Sequence, residues 1–128
     1  MIVNLLRFRF RDEVTEDERD AVLAAMRRTA GVESTAFGTV GRDLGDPAEG
    51  FTHAYCVGVP DLAALERYLH DPVHLAGDDV ILPSLARLSA VRFTDDADPD
   101  TGAKIGALVL AKLAKYPAWE QQLNAIPG

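Results

Sequence analysis

The sequence predicts an α+β domain built on a four-stranded antiparallel sheet with two helices over one face, followed by a helical extension. Three observations lead there. Residues 2–11 alternate so that side chains sort onto two faces with a period of two, which is strand geometry. Helix-start signals follow the first and third strand-like runs, near Thr15 and Asp61. Turn-forming segments rich in Gly, Asp and Pro separate the runs, so the elements read strand, helix, strand, strand, helix, strand.

The first strand places Asn4, Leu6, Phe8 and Phe10 on one face and Val3, Leu5, Arg7, Arg9 and Arg11 on the other. Both faces begin apolar, so this strand is expected to be covered on two sides over part of its length. Thr15 followed by Glu18 is a capping box, and the helix behind it runs through Ala21, Val22, Ala25 and Met26 to about Thr29, where Gly31 ends it. Residues 34–42 read as the second strand and residues 42–50 as a loop. In the third strand His53, Tyr55, Val57 and Val59 share one face.

A helix from Asp61 carries Leu62, Leu65 and Leu69 on one side and delivers Tyr68 in its last turn. Asp71-Pro72 stops it, because proline disfavours helical geometry in the preceding residue. His74 is expected just past that break, Asp78-Asp79 as a helix start, residues 80–86 as a short helical piece and residues 88–94 as the last strand. Residues 96–102 form an acidic linker between a domain of residues 1–95 and an extension of residues 103–128. In the extension Ile105, Leu108, Val109, Leu113 and Tyr116 recur at helical spacing with Lys104, Lys112 and Lys115 on the flanks, and Pro117 opens a second helix carrying Trp119 and Leu123. So much apolar surface has to dock.

The element order is the split βαβ pattern of a ferredoxin-like domain. With both helices on one face, the other exposes Val3, Leu5, Ala54, Cys56 and Val91, which argues that a second copy of the chain covers it. At 128 residues, with 48% hydrophobic and 26% charged residues, the chain has the balance of one globular domain rather than a disordered one. Its formal net charge of −7 argues against nucleic-acid and anionic membrane surfaces as partners. The stripe of Arg7, Arg9 and Arg11 is expected to be solvated or salt-bridged across an interface. The N-terminal residues lack a secretory signal, no apolar run approaches a membrane span, and the single cysteine, Cys56, reads as a small buried apolar residue. A cytoplasmic location is expected.

Four segments in order carry a family resemblance: Ile2-Val3-Asn4-Leu5-Leu6-Arg7-Phe8-Arg9-Phe10, the acid-rich helix start, Gly50-Phe51-Thr52-His53, and Tyr68-Leu69-His70-Asp71-Pro72-Val73-His74. Over roughly residues 1–95 the chain resembles the stress-responsive dimeric A/B-barrel (Dabb) proteins. The resemblance implies a homodimer whose two sheets face each other as a barrel, with one small-molecule pocket per subunit between helices and sheet. The family holds plant stress proteins, many uncharacterised bacterial proteins and a few cofactor-free enzymes, among them the plant polyketide cyclase that forms olivetolic acid. By that resemblance His74 and Tyr68 correspond to the helix-end His and preceding Tyr of the cyclising members, and His53 to their polar residue on the third strand. Asn4 stands where the cyclase has a histidine, and Met26 where it has an aromatic residue.

The implied pocket is walled by Asn4, Leu6, Phe8, Val22, Leu23, Met26, Tyr55 and Val57, a lining suited to a small apolar or aromatic molecule. A histidine can exchange a proton near neutral pH and a tyrosine hydroxyl can hold a developing oxyanion, so His74, Tyr68 and His53 are the candidate acid–base residues. Against this stands a structural role, in which Tyr68 caps its helix against the sheet and His74 binds a loop carbonyl. His53, His70 and His74 with Asp71 or Asp78 form no tight metal-ligand spacing, and His70 is expected to face solvent; neither metal nor cofactor is expected. Trp119 with Tyr116 could cover the pocket or simply anchor the terminal helix. Three functions remain open: a small-ligand protein, a cofactor-independent cyclase, lyase or isomerase, and a structural stress-response dimer.

Overall fold

Strand β1 (Ile2–Phe10) is the spine of the sheet, pairing antiparallel with β3 (His53–Val59) on one side and β4 (Leu85–Thr94) on the other. Strand β2 (Phe37–Arg42) adds to the far edge of β3, giving the order β2-β3-β1-β4. The computed structural model describes residues 1–127. Its helices are α1 (Glu16–Ala30), α2 (Leu62–Leu69), α3 (Pro72–Ile81), α4 (Thr101–Lys115) and α5 (Pro117–Asn124). The result is a ferredoxin-like α+β fold with an extension of two helices.

The capping box at Thr15 is made as the sequence predicts: the Glu18 amide donates to the Thr15 hydroxyl oxygen, and Glu18 accepts from the Thr15 amide. The inner face of the sheet meets the helices through Ile2, Phe8, Tyr55, Val57 and Val59, which pack on Val22, Ala25 and Met26 of α1 and on Leu65, Tyr68 and Leu69 of α2. Gly38 on β2 allows the backbone of Ala30 to approach so closely that a Cβ there would collide with it.

Three predicted boundaries are corrected. Strand β2 begins at Phe37 rather than residue 34, because the Thr35 hydroxyl donates to the Ala30 carbonyl at 2.9 Å and ties this segment to the end of α1. Pro72 does not only end α2; it also opens α3 at a first-turn position, where its missing N–H is no loss, while Asp71 caps that helix by accepting from the Val73 amide at 2.8 Å. His74 and Asp78 are therefore both inside α3, Asp78 is not a helix start, and the expected 80–86 helix is displaced upstream. Residues Leu82–Ser84 form a single 3-10 turn, and β4 starts at Leu85, across a register shift at Arg9 and Phe10.

The outer face is laid out in registered rows. Phe37, Gly58, Val3 and Phe93 form one, and Thr39, Cys56, Leu5 and Val91 the next. Among the described residues no helix covers them, and Phe93, Val91 and Phe37 remain 56%, 52% and 46% exposed. Beside this apolar patch Arg7 is paired within its own chain, to Asp43 at 2.6 Å and Glu49 at 2.5 Å, and the Arg7 and Arg87 guanidiniums each lie 4.6 Å from the centre of the Phe51 ring. Arg11 donates to the carbonyls of Pro83 and Ala125. The arginine stripe is thus largely satisfied inside the subunit rather than across an interface.

Helix α4 runs back over α2 and buries Thr101, Ile105 and Lys112, and α5 rests against the Leu82–Ser84 turn. Among the described residues no helix is long and apolar enough to cross a membrane.

Candidate functional site

A cavity of about 270 Å³ lies between the sheet and the helices. Asn4, Leu6, Tyr55, Leu88 and Ala90 form its floor and Arg92 stands at its open edge, all from the inner face of the sheet. Met26 and Thr29 of α1, Leu65, Tyr68 and Leu69 of α2, and His74, Asp78 and Ile81 of α3 make three walls. The last wall is the extension: Val109, Leu113, Trp119 and Leu123. The surroundings are overwhelmingly apolar, so the few polar groups carry orientation and chemistry.

Those polar groups form two linked sets. The Tyr55 and Tyr68 hydroxyls hydrogen-bond at 2.5 Å, and burial raises both phenols above their ordinary range. The Asn4 side-chain oxygen is buried with no hydrogen-bond partner among the described residues. In the second set His74 donates from Nδ1 to the Tyr68 carbonyl at 2.8 Å, which fixes the proton on Nδ1 in the neutral ring and leaves Nε2 as the acceptor. Nε2 lies 3.4 Å from the Asp78 carboxylate, one helical turn on. The His74 and Tyr68 rings stack obliquely, with centroids 4.5 Å apart.

Lys112 completes this set from α4. Its side chain is 0% exposed, and its Nζ lies 3.8 Å from Asp78 and 4.1 Å from the centre of the Trp119 ring, with no hydrogen-bond partner among the described residues. Desolvation governs the ionisation of all three groups. It lowers His74 to about 4, with Lys112 adding to the effect, and raises Asp78 to about 6 against the opposing pull of Lys112 and the Trp119 indole. It brings Lys112 down to about 8, less than burial alone would because Asp78 holds the charge in place. Burial thus favours the neutral form of both groups, working against protonation of His74 and toward protonation of Asp78.

Of the predicted acid–base residues, Tyr68 and His74 share the cavity and His53 does not. The face prediction for β3 holds, but His53 precedes Tyr55 by two residues, about 7 Å along a strand. That carries its ring away from α3 to stack on Phe8 and meet Phe10 edge-on, with Nδ1 2.8 Å from the Thr52 hydroxyl. Of the predicted lining, Asn4, Leu6, Met26 and Tyr55 face the cavity. Phe8, Val22 and Val57 are buried in the core instead, and Leu23 packs on its margin. Helix α1 lies tightly enough on the sheet to leave no space at those positions. His70 does not simply face solvent: it is partly buried, with Nδ1 3.3 Å from the Tyr116 hydroxyl of the extension. Among the described residues no three His, Cys, Asp or Glu side chains converge as a metal site.

Sequence reasoning weighs Asp78 only as a metal ligand or a helix start, and it misses Arg92 and Lys112 as site residues. The His74-to-Asp78 spacing is readable once α3 is known to begin at Pro72. Nothing local marks Arg92 or Lys112, which reach the site through tertiary packing.

The family model described as the stress-responsive A/B barrel domain matches residues 2–95. No curated protein sequence matches the chain. Among solved structures, a dimeric ferredoxin-like protein of unknown function from Thermobifida fusca is 29% identical with a TM-score of 0.64, covering 73% of this chain and 89% of its own. A Dabb family protein from Mesorhizobium loti is similar at 15% identity and a TM-score of 0.64, covering 75% of this chain and 94% of its own. The hydroxynitrile lyase of Passiflora edulis shares the fold at 19% identity and a TM-score of 0.67, over 75% of this chain and 94% of its own. The match to the family stops at residue 95, so the helices that close the cavity lie outside the matched region.

Proposed function

The chain belongs to the stress-responsive A/B barrel (Dabb) family, and on that premise we propose that it is a homodimer whose subunits each hold a small apolar or aromatic molecule between helices and sheet. The observation that carries the reading is the cavity of about 270 Å³, unfilled by side chains and walled almost wholly by apolar groups. A cavity of about 150 Å³ holds benzene, so this one has room for a ring with a short chain. A protein with only a structural role gains nothing from such a space, since unfilled volume forfeits packing. The exposed rows containing Phe93, Val91 and Phe37 support pairing of two sheets, as does the dimeric description of the Thermobifida fusca protein.

Trp119, the single tryptophan, lines the cavity and reports its occupancy. Titration with 4-phenylbutanol is expected to change Trp119 fluorescence saturably, and Ala90→Phe, which fills the floor, is expected to abolish the change while leaving a folded dimer. An unaltered response in Ala90→Phe would place the binding elsewhere and overturn the reading.

One arrangement favours a second, catalytic reading: proton transfer by the His74–Asp78 pair, with the Tyr68 and Tyr55 hydroxyls holding a developing oxyanion. In it burial holds His74 neutral and raises the basicity of the Asp78 carboxylate. The test is deuterium exchange into the α-carbon of 4-phenyl-2-butanone in heavy water, followed by NMR. Exchange above the buffer rate, falling about a hundredfold in Asp78→Asn, supports proton transfer. Exchange no faster than buffer sinks it.

A further inference from the structure

Arg92 is the charged group the cavity leaves unanswered. It projects from β4 onto the inner face of the sheet, in the row formed with Asn4 and Val57, where an ordinary ferredoxin-like domain would place an apolar side chain. It lines the cavity yet is exposed, which puts it at the opening. Among the described residues its guanidinium makes no hydrogen bond, ion pair or aromatic contact. The other charges balance without it. Asp78 is matched by Lys112 at 3.8 Å, and His74 is held neutral by burial with its Nδ1 proton committed to the Tyr68 carbonyl. One positive charge therefore remains at the rim of an apolar cavity, in a chain whose formal net charge is −7.

A guanidinium in this position has a rigid fork of N–H donors matched to a planar group with two oxygens. The low-dielectric walls beside it strengthen that attraction relative to open water. The depth behind Arg92 accepts an apolar body, and the Tyr68 side chain lines the same cavity for a second polar atom.

We propose that the cavity selects apolar molecules bearing one carboxylate, the carboxylate seated on Arg92 at the opening and the apolar body reaching toward Trp119 and Leu65. This rests on the ligand-binding reading above and names the class of ligand. It also gives Lys112 a place: by neutralising Asp78 it removes the fixed negative charge that would turn such an anion away.

The test compares 4-phenylbutyrate with 4-phenylbutanol, which share the apolar body, by calorimetry on the full-length protein at neutral pH. The carboxylate is expected to bind at least about tenfold tighter, as a charge-assisted pair in a partly desolvated site allows. Arg92→Met is expected to erase that preference while keeping the affinity for 4-phenylbutanol, and Arg92→Lys to retain part of it. The melting temperature of each variant establishes that it is folded, and should Arg92→Met fail to fold, Arg92→Gln takes its place. Equal affinity for the two compounds overturns the carboxylate proposal while leaving ligand binding intact. A preference that survives Arg92→Met assigns the anion to another group and overturns it as well. Absence of binding by either compound overturns both this proposal and the reading on which it rests.

Discussion

Lys112 Nζ lies 3.8 Å from the Asp78 carboxylate, so the C-terminal extension reaches back into the site with a buried charge. The ammonium is wholly buried, roofed by the Trp119 ring at 4.1 Å. Neither residue is stable alone in that position, because a buried ion without a counter-ion bears its full desolvation cost. Charge pairing thereby ties α4 to α3 and fixes the extension as part of the cavity wall.

Removing one partner of that pair tests the coupling. Lys112→Met is expected to destabilise the protein by about 3 kcal/mol in a denaturant melt, since Asp78 is left buried and uncompensated. The double variant Lys112→Met/Asp78→Asn is expected to recover most of the loss. Losses that simply add in the double variant would show that the two charges do not interact.

Acidification separates His74 from Asp78. For His74 the folded value of about 4 lies below the ordinary 6.5, so the unfolded chain binds the extra proton and stability falls as pH drops from 6.5 to 4. For Asp78 the folded value of about 6 lies above 3.8, so the folded chain binds the extra proton and stability rises over the window from 6 down to 3.8. Relative to the parent protein, His74→Gln is therefore expected to gain stability on going from neutral pH to pH ~4.5, and Asp78→Asn to lose it. Melting curves at both pH values check this, and slopes of the same sign in the two variants refute the assignment.

Deleting the extension after Asp98 removes Lys112, Trp119 and the wall they form. Burial of Trp119 is worth about 2 kcal/mol by itself, so the melting temperature is expected to fall by several degrees or the protein to aggregate. An unchanged melt would mean that α4 and α5 add nothing to the stability of the domain.

The proposed dimer depends on the outer sheet face. Leu5→Glu puts a charge in the row shared by Cys56 and Val91, and sedimentation is expected to change from dimer to monomer. A parent protein that sediments as a monomer at micromolar concentration would remove the basis for pairing through this face.

The tyrosine pair is expected to behave as a unit. Tyr68→Phe leaves the Tyr55 hydroxyl buried without its partner and is expected to cost about 1–3 kcal/mol, with Tyr55→Phe similar. Tyr55→Phe/Tyr68→Phe is expected to cost less than the sum, because no hydroxyl is then left unpaired. Full additivity in a thermal-melt cycle would show that the 2.5 Å contact contributes no coupling.

Features set by neighbours along the chain were legible in the sequence. The alternation of β1, the Thr15–Glu18 capping box and the four-strand, two-helix order follow from backbone periodicity and capping chemistry, which act over a few residues. The nearness of Tyr68 and His74 follows likewise, since the short Asp71-Pro72 connection leaves the His74 ring within reach of the Tyr68 carbonyl. Pro72 misled in one respect. Its effect on the preceding residue predicts a break, but the same fixed φ also starts a helix, and that second effect is what brings Asp78 into α3.

Tertiary structure decided the rest. Alternation assigns His53 and Tyr55 to one face of β3 but is silent on which end of the strand a helix covers, and that alone separates a cavity residue from a ring stacked on Phe8. Lys112 stands on a flank that sequence patterning marks as polar, and only the docking of α4 on α2 brings its charge to the cavity, whereas Arg92 reaches it through the pairing of β4 with β1. By itself the sequence determined the elements and their order, because hydrogen-bonding periodicity and side-chain alternation are local. Which side chains meet in the cavity was decided by helix-to-sheet and helix-to-helix packing, where a shift of one turn or two strand positions exchanges one set of neighbours for another.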